Sequence, residues 1–225
     1  MFSSENGYGY LAKHMSGLGY LAAVIGHQES GRQALRKNIM GHGLRGGLEA
    51  LITDPEAYLS RQMDIHSTRL YARLQCTGKE TILLGHSMGA ATVMMLAGAQ
   101  NKMGIQSRDA FDLFVALSPQ GTGSIFPENA WRTIERPVLS ITGTKDNELG
   151  AGTWESRAEP FDNMPNGCKW LGVIDNASHM NFAGRGLSGS AEKLTVKLIQ
   201  SFIEAVHQGD CKAPASQNGL SLRTK

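Results

Sequence analysis

The stretch TILLGHSMGAATVMML, Thr81–Leu96, decides how the chain is read. An apolar run ends in a serine between two glycines, and small and apolar residues at helical spacing follow. This pattern predicts a buried strand turning sharply into a helix, with Ser87 at the turn. In an open parallel sheet, ligands bind at the carboxyl ends of the strands, which is where such a turn sits. Gly85 and Gly89 lack a Cβ and are expected to relieve crowding there. The strained backbone then lifts the Ser87 hydroxyl clear of the sheet. The backbone amide of Met88 is expected to face an oxyanion formed on a substrate carbonyl, at the positive end of the helix. A glycine-rich turn with a serine helix cap is the plain alternative. The strand before it and the small-residue helix after it favour a nucleophile.

Working outward, strand-like apolar runs alternate with helical periodicity. Gly19 to Gly26, Thr81 to Leu84, Phe111 to Leu117, Pro137 to Thr142 and Lys169 to Ile174 read as strands. Gly7 to Met15, Tyr58 to Leu74, Met88 to Asn101 and Ala191 to His207 read as helices. In the last, Leu194, Leu198, Phe202, Ala205 and Val206 share one face. Near-continuous apolar strands separated by helices predict a mainly parallel, doubly wound α/β sheet covered on both faces. Glu29 to Pro55, rich in glycine and basic residues, reads as an excursion above that sheet. Residues 1–207 are expected to form a single domain, and polar residues 208–225 a flexible tail.

A serine nucleophile needs a base and an orienting acid, in the chain order Ser, Asp or Glu, His for this type of turn. The strand ending at Thr142 runs into Gly143-Thr144-Lys145-Asp146. The strand ending at Ile174 runs into a loop carrying Ser178-His179. Asp146 and His179 therefore fall on the same sheet edge as Ser87. His179 is expected to take the serine proton, and Asp146 to fix the imidazole tautomer. Glu148 is the runner-up acid. Asp175 is another candidate but more naturally orders the loop before His179. His86, inside the turn, is expected to point away from the nucleophile. His14, His27, His42, His66 and His207 lack a strand-end context, and Cys76 lies at the wrong end of the sheet.

The composition narrows the function classes. The 225 residues carry 41% hydrophobic and 19% charged side chains and a formal net charge of +2. Near-balance gives no electrostatic case for nucleic acid or an anionic membrane. No apolar run reaches the roughly 18 residues of a bilayer span. Cys76, Cys168 and Cys211 are odd in number and lack C-x-x-C spacing, which argues against a disulfide framework or a zinc site and leaves room for one disulfide. Met1 to Glu5 lack the basic and apolar regions of a signal peptide, so the chain as written reads as cytoplasmic. The partner expected is a small-molecule ester, with no nucleic acid or membrane. The oligomeric state is left open.

Gly85-His86-Ser87-Met88-Gly89, Gly143-Thr144-Lys145-Asp146 and Ser178-His179 resemble the nucleophile, acid and histidine motifs of the α/β-hydrolase superfamily. The likeness is greatest to its bacterial dienelactone-hydrolase-like, acetylhydrolase-like and polyester-esterase-like members. It implies an α/β-hydrolase fold and ester hydrolysis through an acyl-enzyme, without metal or organic cofactor. Asn6 to Gly26 would be a helix and the strand after it, and Leu113 to Gly121 a strand and its active-site loop. In the family, three strands precede that first helix, and a loop after the third supplies a second oxyanion amide. Met1 to Asn6 leave no residues for these, so an N-terminally shortened hydrolase is expected. Gly19 to Gly26 would then pair directly with Thr81 to Leu84, or the sheet would be incomplete. Gly41 to Gly47 imitates a His-Gly oxyanion loop in composition.

Gln120, Trp154 and Met180 are candidate substrate-binding residues, since an ester pocket is mostly apolar with a few placed polar groups. Phe126 and Trp131 lie near the same edge, and packing serves equally well as an explanation for each aromatic. The function expected is a carboxylesterase-type serine hydrolase for small to medium esters. A weakly active or inactive homologue lacking part of the oxyanion hole is the alternative.

Overall fold

The computed structural model describes residues 5–27, 46–47, 49–106, 111–147, 152–185 and 189–225. The chain forms two compact units, Met1–Lys79 and Glu80–Lys225, where a single domain was expected.

The first unit is helical. Helix α1 spans Gly9–Gly17 and ends on Gly19, at φ 91. There the amide of Tyr20 donates to the Met15 carbonyl at 3.1 Å, a stop that glycine alone adopts without strain. Helix α2 spans Pro55–Gln75. Its start is written in the sequence: the Asp54 carboxylate caps the Glu56 amide at 3.0 Å, and Pro55 occupies the first turn. Tyr58 and Arg61 are buried on its inner face, and Asp64 bonds His27 Nδ1 at 2.8 Å.

The strand expected over Gly19 to Gly26 does not form. Residues 20–27 carry neither helix nor strand, and Leu21 and Val24 are exposed. An apolar run becomes a strand only with a ladder partner, and no strand is described in this unit.

The second unit holds the sheet. Its strands are β1 (Ile82–His86), β2 (Leu113–Leu117), β3 (Val138–Lys145), β4 (Lys169–Ser178) and β5 (Leu220–Thr224). They lie in the order β1-β2-β3-β4-β5, the first four parallel and the last antiparallel to β4. Among the described residues β1 is therefore an outer strand. The helices of this unit are α3 (Met88–Leu96), α4 (Glu159–Asn163), α5 (His179–Phe182) and α6 (Gly189–Gln208). Every residue of β2 is buried, as a strand covered on both faces requires. On β4, Trp170 packs edge-on against Phe202 of α6, ring centroids 5.3 Å apart. Leu171 and Val173 pack with Ala158 and Phe161. Successive side chains of a strand point to opposite faces, so α4 and α6 cover opposite sides of the sheet. This is the mainly parallel, doubly wound α/β architecture that the alternating apolar runs and helices implied.

Residues 208–225 are not a flexible tail. Cys211 is disulfide-bonded to Cys168, just before β4, and β5 pairs with β4 from Trp170↔Thr224 to Ile174↔Leu220. Lys169 and Lys225 exchange two main-chain hydrogen bonds of 3.1 Å, and Arg223 pairs with Asp162 at 2.5 Å. Strand β5 offers only Leu220 and Leu222 as apolar residues, too short a signal to read as a strand. The ladder and the cross-link order it.

Candidate active site

Four parallel strands end side by side, and each end carries a polar residue. Ser87 follows β1, with φ 57 and ψ −120. This left-handed conformation is strained for any residue with a side chain, and it makes the sharp turn into α3. The crowding is real at Gly85: a Cβ there would overlap the backbone of Gly89 and the Val93 side chain. At Gly89 a Cβ would meet nothing within 4 Å, so only one of the two glycines is required by space within the fold. The Ser87 amide donates to the Leu117 carbonyl at 3.0 Å, and the Ser87 carbonyl accepts the first helical bond, from Ala91 at 3.1 Å. Met88 opens α3, whose first amides have no intrahelical acceptor. Its N–H belongs to the group that an oxyanion could use.

Asp146 follows β3 and is fully buried. A tight turn places it, its amide donating to the Gly143 carbonyl at 2.9 Å. Both carboxylate oxygens are engaged. Oδ2 accepts from the Thr142 hydroxyl at 3.0 Å, and Oδ1 lies 2.9 Å from His179 Nδ1. The carboxylate is thus aimed at the imidazole and cannot turn without losing a bond.

His179 follows β4, whose last residues are irregular. The ladder jumps from Gly143↔Ile174 to Lys145↔Ser178, so Asp175, Asn176 and Ala177 form a bulge. Asn176 takes φ 60, and its amide donates to Thr144 Oγ1 at 2.8 Å. A Cβ on Gly143 would strike Ala177, so β3 must carry glycine there for the bulge to close. Bulges re-aim side chains, and this one returns the chain so that His179 meets Asp146. Asn181 Oδ1 then accepts from the amide and the hydroxyl of Ser178, each at 2.8 Å, fixing the start of α5. With Nδ1 facing the carboxylate, Nε2 is the ring nitrogen left for a substrate or nucleophile. It is buried, with no hydrogen-bond partner among the described residues. No bond joins it to Ser87 Oγ in this state, and such contacts are often loose before substrate binds.

Three side chains that sequence reasoning missed complete the site. His86, expected to point away, packs its ring on that of His179, centroids 4.5 Å apart and planes at 44°. Burial, then the neighbouring His179, holds its pKa well below the ordinary histidine value, so it is a neutral imidazole. Thr142 fixes one oxygen of the acid. Arg157, buried in the short helical turn Trp154–Ala158, forms an ion pair with the other, its Nε 3.0 Å from Asp146 Oδ1. No spacing signal marks Arg157. Only the fold brings it back to the acid.

The remaining candidates fall unevenly. Gln120 lies two residues beyond Ser118, at the end of β2, and its Oε1 is buried without a hydrogen-bond partner among the described residues. Met180 is half-buried beside His179. Trp154, partly buried, packs against the cluster of Ala158, Phe161, Leu171 and Val173. Phe126 and Trp131 are fully buried and pair at 5.3 Å. Asp175 is exposed within the bulge. Glu148 lies outside the described residues, as do residues 41–45 of the glycine-rich segment, while Gly46 and Gly47 are helical. Among the described residues no cluster of His, Cys, Asp and Glu could hold a metal ion, and no helix is long and apolar enough to cross a membrane.

No family model and no curated protein matches the chain. Among the solved structures that are similar in part are two hydrolases. One is the esterase domain from a Rhodothermus marinus protein, 18% identical over 53% of this chain and 60% of that one, with a TM-score of 0.35. The other is a predicted CIB-like hydrolase from Thermoplasma acidophilum, 17% identical over 65% of this chain and 60% of that one, with a TM-score of 0.40. This chain thus spans 60% of the length of either protein.

Proposed function

We propose that this chain is a serine hydrolase that cleaves small to medium carboxylic esters through Ser87, His179 and Asp146. The observation that carries the reading is the 2.9 Å contact between His179 Nδ1 and a buried, fully bonded Asp146, on the sheet edge where Ser87 occupies its strained turn. A buried His–Asp pair beside a strained serine is the arrangement that makes a hydroxyl nucleophilic at neutral pH.

In the proposed reaction Ser87 Oγ attacks the ester carbonyl carbon while His179 Nε2 takes the serine proton. The carbonyl oxygen becomes an oxyanion facing the Met88 amide. Collapse breaks the bond to the alkoxy oxygen, which receives the proton from His179 and leaves as an alcohol. Water then attacks the acyl-enzyme, again giving up a proton to His179, and the carboxylic acid leaves with Ser87 restored. Asp146 keeps the proton of Nδ1 in place and balances the imidazolium. The scheme uses no metal or organic cofactor. Gln120 and Met180, near the strand ends, are proposed to border the substrate.

The Cys168–Cys211 disulfide favours an oxidising compartment over the cytoplasm expected from the opening residues. A free-thiol count of one in denatured, unreduced protein isolated from its native cells, the thiol being Cys76, supports that placement, and a count of three restores the cytoplasm.

A fluorophosphonate probe and p-nitrophenyl acetate test the main reading. Ser87 is expected to be labelled, and Ser87→Ala to lower turnover by up to roughly 10⁶-fold, as loss of the serine does in subtilisin. Unchanged turnover in folded Ser87→Ala protein sinks the assignment. No labelling of the wild type favours a homologue without a working nucleophile.

A further inference from the structure

We propose that Arg157 is a positioning residue for this chemistry: its guanidinium aims the Asp146 carboxylate at His179 and ties together the loops that follow β2 and β3. The proposal rests on the serine-hydrolase reading above.

Arg157 is 3% exposed, so its charge has given up nearly all of its water. A buried guanidinium persists only if its donors are matched. Here Nε donates to the Asp146 carbonyl at 2.6 Å and lies 3.0 Å from Asp146 Oδ1. Nη1 donates to the carbonyls of Ser118 and Pro119 at 3.1 and 3.2 Å. Nη2 donates to the Asn147 carbonyl at 3.4 Å. These acceptors come from two strand ends. Ser118 takes φ 54, and its carbonyl is one of those that meet the guanidinium. Backbone strain at the end of β2 is thus coupled to the clamp on the acid.

The contact with Oδ1 separates this arrangement from ordinary loop packing. The same oxygen is 2.9 Å from His179 Nδ1. With Thr142 on Oδ2, Arg157 on Oδ1 removes the remaining freedom of the carboxylate. Arg157 Nη2 also lies 3.5 Å from His179 Nδ1. A guanidinium has no acceptor. The proton on Nδ1 therefore has only the carboxylate to bond, and Nε2 is left as the base.

Two variants separate the fork from the charge. Arg157→Lys keeps the charge and loses the fork, whereas Arg157→Gln loses both. Rates are measured per Ser87 site that reacts with fluorophosphonate, so a partly folded preparation still reports, and Tm is recorded alongside. Both variants are expected to lose roughly 10- to 100-fold in kcat with little change in KM, the size typical of a misaimed catalytic group. Arg157→Lys, which keeps the charge beside Asp146, should lose the smaller part of that range and Arg157→Gln the larger. In an Asp146→Asn background, Arg157→Lys should cost less than about threefold, because residues that act as a unit do not add. Wild-type kcat in both variants overturns the proposal. So does a loss of equal size on both backgrounds, which marks Arg157 as a structural brace. A wild type that is not labelled at Ser87 removes the hydrolase reading and this one with it. A labelled wild type with indifferent Arg157 variants removes only the role of Arg157.

Discussion

The two ends of the same sheet are built on different principles. At the carboxyl ends, Ser87, Ser118 and Asn176 hold positive φ, and Asp146, Arg157 and His86 are buried polar groups. Each is costly alone and is held by its neighbours. At the amino end of β4 the chain is cross-linked. Cys168 is bonded to Cys211, the Trp170 indole donates to the Cys211 carbonyl at 3.0 Å, and Lys225 closes the ladder on Lys169. Lys169 is the polar exception there. Its amine donates to the Glu135 carbonyl at 3.0 Å, and burial, then Lys225, pushes its pKa down to about 8. Apart from Lys169 and from Cys211, which holds φ 50, strain and buried charge gather where chemistry is proposed, and a covalent bond and an added strand gather where it is not. The first end should therefore govern rate, and the second stability.

The strongest test of that division is Asp146→Asn. The amide keeps the shape, but its one oxygen can serve only one of the two positions that Thr142 and Arg157 address, and it favours the wrong imidazole tautomer. A fall in kcat of about 10⁴-fold is expected, the size seen for this change in serine proteases. Assays are best run well below the Tm, because Arg157 loses its counter-charge. If Tm falls while kcat stays within tenfold, the carboxyl end is a second structural end and the comparison fails.

The converse test is at the disulfide. Replacing both Cys168 and Cys211 by serine frees a loop of 43 residues in sequence separation. The chain-entropy account then gives a loss of about 4 kcal/mol, or a fall in Tm on the order of 10 °C. At 25 °C kcat should stay within about twofold. A large fall in kcat in the folded variant would show that β5 and its cross-link reach the site.

The two ends also differed in how far they could be read from sequence. Ser87, Asp146 and His179 were legible because each follows an apolar run, and a parallel sheet brings strand ends together by topology alone. Arg157 and Thr142 were not, since their roles depend on which way a side chain turns after the fold is made. His86 was misread for the same reason. Apolarity was also weighted too heavily. GYLAAVIG, Gly19 to Gly26, looked like a better strand than LSLRT, Leu220 to Thr224, and only the second is one. A ladder partner decides strand formation, and a single sequence does not display the partner. The disulfide that helps order β5 was allowed by the cysteine count but could not be placed by it.

The smallest expected effect sharpens the comparison through pH. His86 sits at the carboxyl end of β1, buried against His179, with its pKa well below the ordinary 6.5 because burial, and then His179, oppose its charge. In the unfolded chain it regains a pKa near 6.5. Above about pH 7.5 neither state binds the proton and His86 contributes no pH dependence. As the pH falls through about 6.5 the unfolded chain takes up a proton that the folded chain refuses, so unfolding gains ground. The slope approaches at most about 1.4 kcal/mol per pH unit and persists down toward the depressed folded value. The His86 contribution to Tm should therefore be level above about pH 7.5 and lower Tm between about 6.5 and 5. His86→Gln should flatten the upper part of that fall, where carboxylates do not yet titrate. The informative quantity is the difference between the two Tm curves over that window. Parallel curves would mean that His86 accepts a proton in the folded state as easily as in the unfolded one. The ring packed on His179 would then not be the closed, neutral contact that makes the carboxyl end costly to hold.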